Sequence, residues 1–384
     1  MKRIIKVAAF GVLGLIVVAT IYLWMTFGSL IKGAMSVEKL DDGLYYMEYK
    51  GDDGFDELMA RGGCTDIGKV SEYIMAFLSK GFFETSPIDP PLKPVGCSTL
   101  TVGTPEGGVM MGRNFDFSYG NGLIVHTIPD EGYETITTFS TDFWGFGEAY
   151  KPEGFVNQYM ALSGIFMALD GLNEKGLAVA VLDAGDQVVT KQCTDKTDLT
   201  TTTATLYILR KAANVAEALA LLNSIDMNSD PGAAYHIAIA DAAGKSVVVE
   251  YVDNEMVVTE TPFVTNHYLC EAKFKAGLHD SDHRHEKLME QYEQAGGKMS
   301  KEQLTEVLTK NPYRLDVSFF LSLTDYLVRD RRFNQTLVSI VKGKMHLLSQ
   351  RCCRIPSFLA EIIIYLLAAL LCISINLHTH KPLS

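Results

Sequence analysis

The sequence has 384 residues, of which 47% are hydrophobic, so the chain can bury a large core as one big domain or two small ones. Its formal net charge of −12 excludes nucleic acid as an expected partner, because nucleic-acid binding needs a basic surface that neutralises phosphates. Seven cysteines are too few for a disulfide scaffold in a chain of this length. The sequence contains no C-x-x-C pair, which would be the sign of a zinc ribbon or a thioredoxin-like motif.

Residues 1–35 are predicted to be a signal anchor. Three basic residues within the first six precede an uncharged run over residues 7–31, which is longer than a signal-peptide core and long enough to span a bilayer. No A-x-A cleavage site follows, so an uncleaved anchor is favoured over a removed signal peptide. The basic flank should stay in the cytoplasm, which places the rest of the chain on the extracytoplasmic side. That compartment permits disulfides, and Cys64, Cys193 and Cys270 could include a pair.

Residues 36–96 separate this anchor from the first chemically interesting strand. Apolar side chains recur at helical spacing from Ile67 to Phe77, and Asp66 precedes them as a cap, so we expect an amphipathic helix. The Pro-rich connector "SPIDPPLKP" follows and ends regular structure.

The remaining pattern favours an α+β fold. Residues 98–103 and 108–113 predict a hairpin across "TPEGG", "DGLNEKGLAVAVLD" predicts a turn and a buried strand, and three further strands follow in "AYHIAIAD", "SVVVEYV" and "MVVTETP". "TATLYILRKAANVAEALALLNSI" predicts two helices broken near Asn214, while "DSDHRHEKLMEQYEQ" and "SKEQLTEVLTK" predict two more with Ser or Asp caps. Strands grouped in meanders, with helices in separate blocks, favour a layered α+β domain over an alternating parallel one.

The C-terminal segment, residues 342–384, differs in character from the rest. It contains three of the seven cysteines and an apolar run over residues 358–377 that is long enough to span a membrane. With the body of the chain outside, however, the basic residues before this run would flank it on the outer side, against the positive-inside tendency. Two interpretations stay open: a second transmembrane helix, and an altered or truncated C-terminus such as a shifted reading frame would produce.

Cys97 is the first candidate for chemistry. A thiol becomes a useful nucleophile when a nearby base or positive charge generates its thiolate. If the chain were cut just before Cys97, the residue's own α-amine could supply that base, because a free α-amine has a pKa of about 7.7–8.0. Gly96 suits such a cut, since it tolerates backbone strain and exposes its carbonyl to the neighbouring thiol. The alternative is that Cys97 is simply a small buried residue in a strand.

Arg113 and Asp116 are the candidate partners of Cys97. In a hairpin they return beside the strand that Cys97 begins. A guanidinium near a thiolate lowers the pKa of the thiol, and a carboxylate near an α-amine orients it and favours its protonated form. The alternative is a solvated turn, which would also tolerate the sequence "GRNFDF".

These residues carry a resemblance to a known superfamily. "GCSTL" followed by "GRNFDF" resembles the N-terminal-nucleophile (Ntn) cysteine amidases, with the arginine sixteen and the aspartate nineteen residues after the cysteine. Its members include choloylglycine hydrolases, penicillin V acylases, acyl-coenzyme A:6-aminopenicillanic acid acyltransferases and N-acylethanolamine acid amidases. "DGLNEKGLAVAVL", "YHIAIADAAGKSVVVEY", "TNHYL" and "DSDHR" follow in the expected order, so that the likeness covers roughly residues 90–341.

The resemblance implies a role for each matching residue. Cys97 would be the nucleophile, freed by autocatalytic cleavage at Gly96–Cys97, with Arg113 and Asp116 poising its thiol and amine. Asn266 in "TNHYL" would give its side-chain amide to the oxyanion hole, where losing one donor typically costs roughly 3–4 kcal/mol. Arg284 in "DSDHR" would complete the charge network. The alternatives are a turn residue after a strand for Asn266, and a solvated helix face for Arg284.

Asp183 departs from the pattern of the family. Relatives carry Asn or Tyr after "GLAVAVL", where this chain has Asp183. If that position gives its backbone N–H to the oxyanion hole, Asp183 can still serve. If a side-chain amide were needed there, the carboxylate would repel the oxyanion.

The resemblance implies a four-layer α-β-β-α Ntn-hydrolase sandwich over residues 97–341, in which "TLVSIV" is a late sheet strand. Residues 36–96 would be a pro-segment or a small subunit, giving a heterodimer of self-cleaved fragments held by non-covalent packing. The expected activity is hydrolysis of a linear non-peptide amide, an N-acyl bond in a small-molecule substrate, through a thioester on Cys97. Two alternatives stay open: an acyltransferase that uses an amine acceptor, and an inactive member that binds an acyl ligand.

No cofactor and no metal are expected. "LHDSDHRHEK" contains three histidines and two aspartates, but helix caps and a solvated helix start explain this composition more simply than a metal cluster. The predicted partners are therefore a small-molecule amide substrate and the membrane that holds the N-terminal helix.

Overall fold

The structure, a computed structural model, describes residues 2–82, 96–116, 121–141, 150–186, 188–229, 232–274, 281–310, 318–322 and 336–341. They belong to one compact unit, Met1–Leu347. Two β-sheets face each other, and helices cover the outer side of each sheet, so the predicted α+β class with its α-β-β-α layering is confirmed. The predictions for residues 342–384 lie outside the described residues.

Among the described residues, the larger of the two sheets has nine strands and the smaller has five; the larger sheet is mostly antiparallel. In spatial order its strands are β1 (Glu38–Asp41), β2 (Leu44–Gly51), β5 (Gly122–Pro129), β6 (Thr135–Ser140), β7 (Asp170–Asn173), β8 (Ala178–Asp183), β11 (Tyr235–Ala240), β12 (Ser246–Val252) and β13 (Glu255–Glu260). β2 pairs with β5 in parallel, whereas β11, β12 and β13 form the predicted meander.

The smaller sheet has five strands. They are, in spatial order, β14 (Phe263–Val264), β3 (Gly96–Gly103), β4 (Val109–Asp116), β15 (Ser318–Ser322) and β16 (Thr336–Val341), with a further pairing between β4 and β16. β16 is the late strand expected for "TLVSIV". A separate pair, β9 (Thr197–Thr200) and β10 (Ile225–Asn228), runs parallel.

Most helices lie where the sequence predicts them, whereas the short helices over Phe55–Ala60 and Phe155–Met160 were not predicted. They are α1 (Lys2–Met35), α2 (Phe55–Ala60), α3 (Ile67–Ser79), α4 (Phe155–Met160), α5 (Thr201–Lys211), α6 (Val215–Asn223), α7 (Ser281–Gln294) and α8 (Lys301–Thr309), with short 3₁₀ turns at Ala161–Phe166 and Glu271–Lys273. Asp66 accepts from the backbone of Lys69 at the start of α3, Asn214 caps α6, and Ser300 forms a capping box on α8.

Three layers of apolar side chains hold the sheets and helices together. Val125, Val179 and Ile237 of the large sheet pack against α3, α5 and α6. A second layer lies between the sheets and contains Cys97 and Phe115 from the small sheet, together with alanines and leucines of the large one. A third layer packs the other face of β3 and β4 against α7 and α8. Cys97 is therefore buried between the two sheets.

Helix α1 runs without a break from an exposed apolar stretch into the core. Residues 10–25 are largely exposed, and the segment Phe10–Met35 is long and apolar enough to cross a membrane by length and composition, a test that a signal sequence also passes. Near its end, Leu30 and Ala34 are fully buried in the core on the outer side of the large sheet. The last turns of the helix are thus part of the folded body.

The segment before Cys97 is built into the same fold. β1 and β2 form one edge of the large sheet, and α3 packs its Tyr73 and Phe77 rings edge-on against Phe166. Asp53 forms a buried ion pair with Arg210 of α5. Strand pairing, apolar packing and one buried ion pair therefore join this segment to the rest of the chain.

The compartment permitted a disulfide among Cys64, Cys193 and Cys270, but the structure forms none, because all three are free thiols. Cys64 lies in the helix-side core, Cys270 lies in a separate small cluster with Tyr268, and Cys193 is exposed. Their positions in different parts of the fold explain why no pair forms.

Candidate active site

The β3–β4 hairpin brings the predicted nucleophile and its arginine together. Cys97 lies opposite Phe115, and Thr99 lies opposite Arg113, so that all four side chains share the face that points between the sheets. The guanidinium Nη2 of Arg113 lies 3.9 Å from the Sγ of Cys97. The predicted hairpin is confirmed, and its strands reach Gly96 and Asp116, two to three residues beyond the predicted ends.

Arg113 is only 1% exposed, so the interpretation as a solvated turn is wrong. Its guanidinium forms an ion pair with the buried carboxylate of Asp170 and donates a hydrogen bond to the backbone carbonyl of Val181. Asp170 also accepts a hydrogen bond from the hydroxyl of Thr138. The arginine is therefore held by groups of β7 and β8 and directs a positive charge at the thiol.

Asp170 is a candidate functional residue that the sequence analysis missed. It lies in "ALDGLNEKG", where the glycines and the asparagine indicate a turn, and turns commonly contain aspartate. In the structure Asp170 begins the central strand β7 and is fully buried. An acidic residue directly after the apolar run "IFMAL" is the signal that could have identified it.

Asn266 and Arg284 hold the backbone of Cys97 on both sides. The backbone N–H of Cys97 donates to Oδ1 of Asn266 at 2.7 Å, and Nη1 of Arg284 donates to the carbonyl oxygen of Cys97 at 2.8 Å. Nη2 of Arg284 also donates to Oδ1 of Asn266 at 2.7 Å. Both side chains are buried, so the alternative that Arg284 lies on a solvated helix face is wrong.

Asp183 meets this cluster through its backbone. Its carbonyl oxygen accepts a hydrogen bond from Nδ2 of Asn266 at 2.6 Å, whereas its carboxylate accepts from the backbone N–H of Gly185 at 2.6 Å. Burial raises the pKa of the Asp183 carboxyl, against the opposing effects of this hydrogen bond and of His236. An amide nitrogen carries two hydrogens, and the bond to Asp183 uses only one of them.

The structure therefore brings five of the six predicted residues into one cluster, in which only Asp183 is partly exposed: Cys97, Arg113, Asp183, Asn266 and Arg284. Asp116 lies at the end of β4 with its backbone opposite Gly96, and its side chain is outside the described part of the structure. This arrangement offers a thiol, a fixed positive charge beside it, and an amide donor close to the backbone of the thiol-bearing residue.

Comparison with known proteins identifies relatives of this part of the chain. Residues 97–268 match the family described as linear amide C–N hydrolases, choloylglycine hydrolase family. A penicillin V acylase of Pectobacterium atrosepticum is 27% identical over 144 residues, an alignment that covers 31% of this chain and 38% of that protein. The chain thus spans well under two thirds of the length of that relative. The resemblance to the Ntn cysteine amidases is confirmed.

Three solved structures are also similar. A mutant of conjugated bile acid hydrolase from Clostridium perfringens is 15% identical, with a TM-score of 0.41 over 58% of this chain and 85% of that chain. The N-acylethanolamine-hydrolyzing acid amidase ortholog of Caenorhabditis elegans is 12% identical, with a TM-score of 0.39 over 58% and 90%. Penicillin V acylase of Agrobacterium tumefaciens is 18% identical, with a TM-score of 0.32 over 46% and 54%.

Proposed function

We propose that this chain hydrolyses the N-acyl bond of a small-molecule amide with Cys97 as its nucleophile, a proposal supported by the match of residues 97–268 to the linear amide C–N hydrolases. One observation carries the proposal: the Arg113 guanidinium lies 3.9 Å from the Cys97 thiol, while Asn266 and Arg284 hold the backbone on both sides of that residue. A cysteine that served only for packing would have no need of two buried arginines.

The first step is cleavage of the chain at Gly96–Cys97. The thiol of Cys97 attacks the carbonyl carbon of Gly96, the peptide C–N bond breaks, and the acyl group moves from nitrogen to sulfur. Water then hydrolyses this thioester and leaves a carboxylate on Gly96 and a free α-amine on Cys97. The contact between the backbone nitrogen of Cys97 and Oδ1 of Asn266, 2.7 Å long, would orient the new amine.

The mature site then acts on the substrate. The α-amine of Cys97 takes the proton of its own thiol, and the thiolate, stabilised by Arg113, attacks the substrate carbonyl. A hydrogen of Nδ2 of Asn266 stabilises the oxygen anion. The α-ammonium gives its proton to the leaving amine as the C–N bond breaks. Water, deprotonated by the same amine, attacks the thioester, and release of the acid restores the thiol.

In this mechanism Asp183 contributes its backbone and not its carboxyl group. Its carboxylate is turned towards the backbone of Gly185, while its carbonyl oxygen meets Asn266. We therefore expect Asp183→Asn to change kcat/KM by less than about threefold, because the substitution leaves the backbone in place. A gain of tenfold or more, measured on the same substrate, would show that the carboxylate does repel the oxyanion.

The N-terminal helix is proposed to anchor the enzyme in a membrane, with the catalytic domain outside. Removal of a signal peptide cut after Leu30 would take away one buried core residue, and a cut after Ala34 would take away two, which favours retention of the helix. After cleavage at Gly96–Cys97, the anchored piece would hold the catalytic piece through β2 and through the Asp53–Arg210 ion pair. Sedimentation of the chain with membranes after alkaline carbonate washing tests the anchor.

The test of the proposed function begins with intact-mass analysis of the purified chain. We expect a fragment that begins at Cys97, which disappears in Cys97→Ala and persists in Cys193→Ala, an exposed free thiol that serves as the matched control. Both cleavage and hydrolysis of a panel of N-acyl amides should follow this pattern. An uncut wild-type chain whose thiol is labelled slowly would instead favour the alternative of an inactive acyl-ligand-binding member.

Acyl transfer is the remaining alternative. Products are to be analysed with and without an added acceptor amine. A free acid in both reactions supports hydrolysis, whereas a new amide that forms only with the acceptor supports an acyltransferase.

A further inference from the structure

The segment Thr265–Cys270 carries Asn266 and is held by buried polar side chains that take no part in the proposed reaction. Two groups contact it: Ser281, at the start of α7, and the pair formed by His236 and Glu250. All three side chains are fully buried. Burying a polar side chain is costly unless it is hydrogen-bonded, so three polar side chains buried at one segment need a structural or functional reason.

Ser281 has its full hydrogen-bonding capacity used by this segment. Its Oγ accepts from the backbone N–H of Asn266 at 2.6 Å and donates to Oγ1 of Thr265 at 2.9 Å. Nδ1 of His267 lies 3.0 Å from the same oxygen. A hydroxyl has one donor and two acceptor sites, so the hydrogen-bond network assigns the proton of His267 to Nδ1. Thr265 in turn donates to the backbone carbonyl of Ser281 at 3.0 Å.

His236 and Glu250 hold the two ends of the same segment. Nδ1 of His236 lies 3.2 Å from the carbonyl oxygen of Thr265, and its Nε2 lies 3.1 Å from Oε1 of Glu250. The Glu250 carboxylate accepts from the backbone N–H of Leu269 at 2.7 Å and from that of Cys270 at 2.8 Å. The pair therefore fixes the residues before and after Asn266.

Helix α7 couples the backbone and the side chain of Asn266. Ser281 binds the backbone of Asn266, and Arg284, one turn further along the same helix, binds its Oδ1. An amide that stabilises an oxyanion must be held to within a fraction of an ångström, since a misplacement of about 1 Å can cost roughly 100-fold in rate.

We propose that Ser281 is a positioning residue for Asn266 in catalysis. The His236–Glu250 pair is a second support, because it holds the backbone before and after Asn266. This proposal rests on the proposed amide-hydrolase function. Ser281 touches neither the thiol nor the substrate; it sets the direction in which the Asn266 amide points.

The kinetic test compares Ser281→Ala with the wild type. We expect kcat to fall about 10- to 100-fold with KM changed less than threefold, because an oxyanion donor acts in the transition state and not in substrate binding. The rate at which iodoacetamide alkylates Cys97 should stay within twofold. Ser281→Thr, which keeps the hydroxyl, should recover most of the lost kcat. Glu250→Gln, which keeps the shape but removes the charge of the second support, should lower kcat less than Ser281→Ala does.

Ser300→Ala is the matched control. Ser300 also begins a helix of the same layer and accepts a backbone hydrogen bond, from Gln303, but it lies outside the Asn266 segment. The variant should lose some thermal stability through loss of its cap and keep the kcat of the wild type. Equal kcat losses in Ser281→Ala and Ser300→Ala would overturn the proposal.

A second measurement does not depend on turnover. Hydrogen exchange followed by mass spectrometry should show faster exchange in peptides covering residues 263–270 of Ser281→Ala, and wild-type exchange there in Ser300→Ala. Unchanged exchange of this segment in Ser281→Ala overturns the positioning role even if the wild type cleaves no amide. If the wild type is active, faster exchange in Ser281→Ala together with an unchanged kcat overturns the positioning role as well. Absence of activity in the wild type refutes the proposed function alone.

Discussion

Two buried Arg–Asp pairs in this molecule have the same chemistry but different surroundings. Arg113–Asp170 lies within the part of the chain that begins at Cys97, where the arginine also donates to Val181 and approaches the Cys97 thiol. Arg210–Asp53 joins that part to the segment before Cys97, and its arginine has no further side-chain hydrogen bond within the described residues. A buried ion pair is weak evidence of stability in itself, so its neighbours decide what it does. Under the proposed function, the first pair supports the chemistry of Cys97, and the second holds the segment before Cys97 to the rest of the fold.

The largest effect is expected from Arg113→Lys. A lysine keeps the positive charge but not the planar fork that reaches Asp170, Val181 and the thiol together. We expect kcat/KM to fall about 1,000-fold, equivalent to roughly 4 kcal/mol of transition-state stabilisation. Steady-state kinetics on a substrate found in the amide panel measure the loss.

Arg210→Lys is the matched control for that substitution. Its arginine belongs to a pair outside the active site, so the folded enzyme should keep its kcat/KM within about twofold. If Arg113→Lys and Arg210→Lys lost similar activity, the assignment of chemistry to the Arg113–Asp170 pair and of stability to the Arg210–Asp53 pair would be contradicted.

Asp53→Asn is expected to act on stability. The substitution leaves the buried Arg210 without its counter-charge, which should lower the free energy of unfolding by about 3 kcal/mol. Urea titration followed by circular dichroism measures this loss, and kcat/KM at low urea should stay close to that of the wild type. In the cleaved protein, the N-terminal piece should also separate from the catalytic piece at a lower urea concentration.

The exposed ion pair between Lys69 and Glu72 provides the control for Asp53→Asn. Both side chains are at least a third exposed, so Glu72→Gln should cost less than about 1 kcal/mol. If Asp53→Asn cost no more than Glu72→Gln, the buried pair would not contribute to cohesion between the pieces.

The smallest effect is expected from His126, which links β2 of the N-terminal segment to β5. Burial alone would lower the pKa of His126, but its hydrogen bonds to Glu134 and Glu48 outweigh burial and raise the pKa above 6.5. A raised folded pKa gives stability that is complete below the unfolded value and is lost as pH rises through the folded one. We therefore expect the melting temperature to fall slightly as the pH rises above 6.5.

His126→Gln tests this link. The variant should lose that part of the pH dependence of the melting temperature, because glutamine does not titrate. An identical pH profile in wild type and variant would assign the dependence to other groups. Since the Glu48 side chain is 46% exposed, solvent screens part of this interaction and keeps the effect small.

Local pattern was sufficient to predict the hairpin and the placement of Cys97 beside Arg113. A tight turn fixes the strand register, and the two-residue period of a strand then decides which side chains share a face. Helices α3, α6 and α8 followed from apolar spacing and cap residues for the same local reason. Asn266 and Arg284 were identified through the family resemblance, since nothing local indicates that they meet Cys97 from 169 and 187 residues away.

The supporting residues could not be predicted because their roles depend on distant pairing. Asp170 becomes a partner of Arg113 only when β7 enters the large sheet and the small sheet packs on it. Ser281 has the sequence signature of an ordinary helix start, and its contact with Asn266 arises from where α7 lies. Whether any of the cysteines pair could not be predicted for a related reason, since cysteine count and compartment give no information about which thiols come close.

Burial of Leu30 and Ala34 has a mechanical consequence for an anchored protein. If residues 10–25 span a bilayer as proposed, no loose linker separates the span from the folded body, so rotation or tilt of the span would turn the body with it. The cluster around Cys97 would then keep a fixed height and orientation relative to the lipid surface.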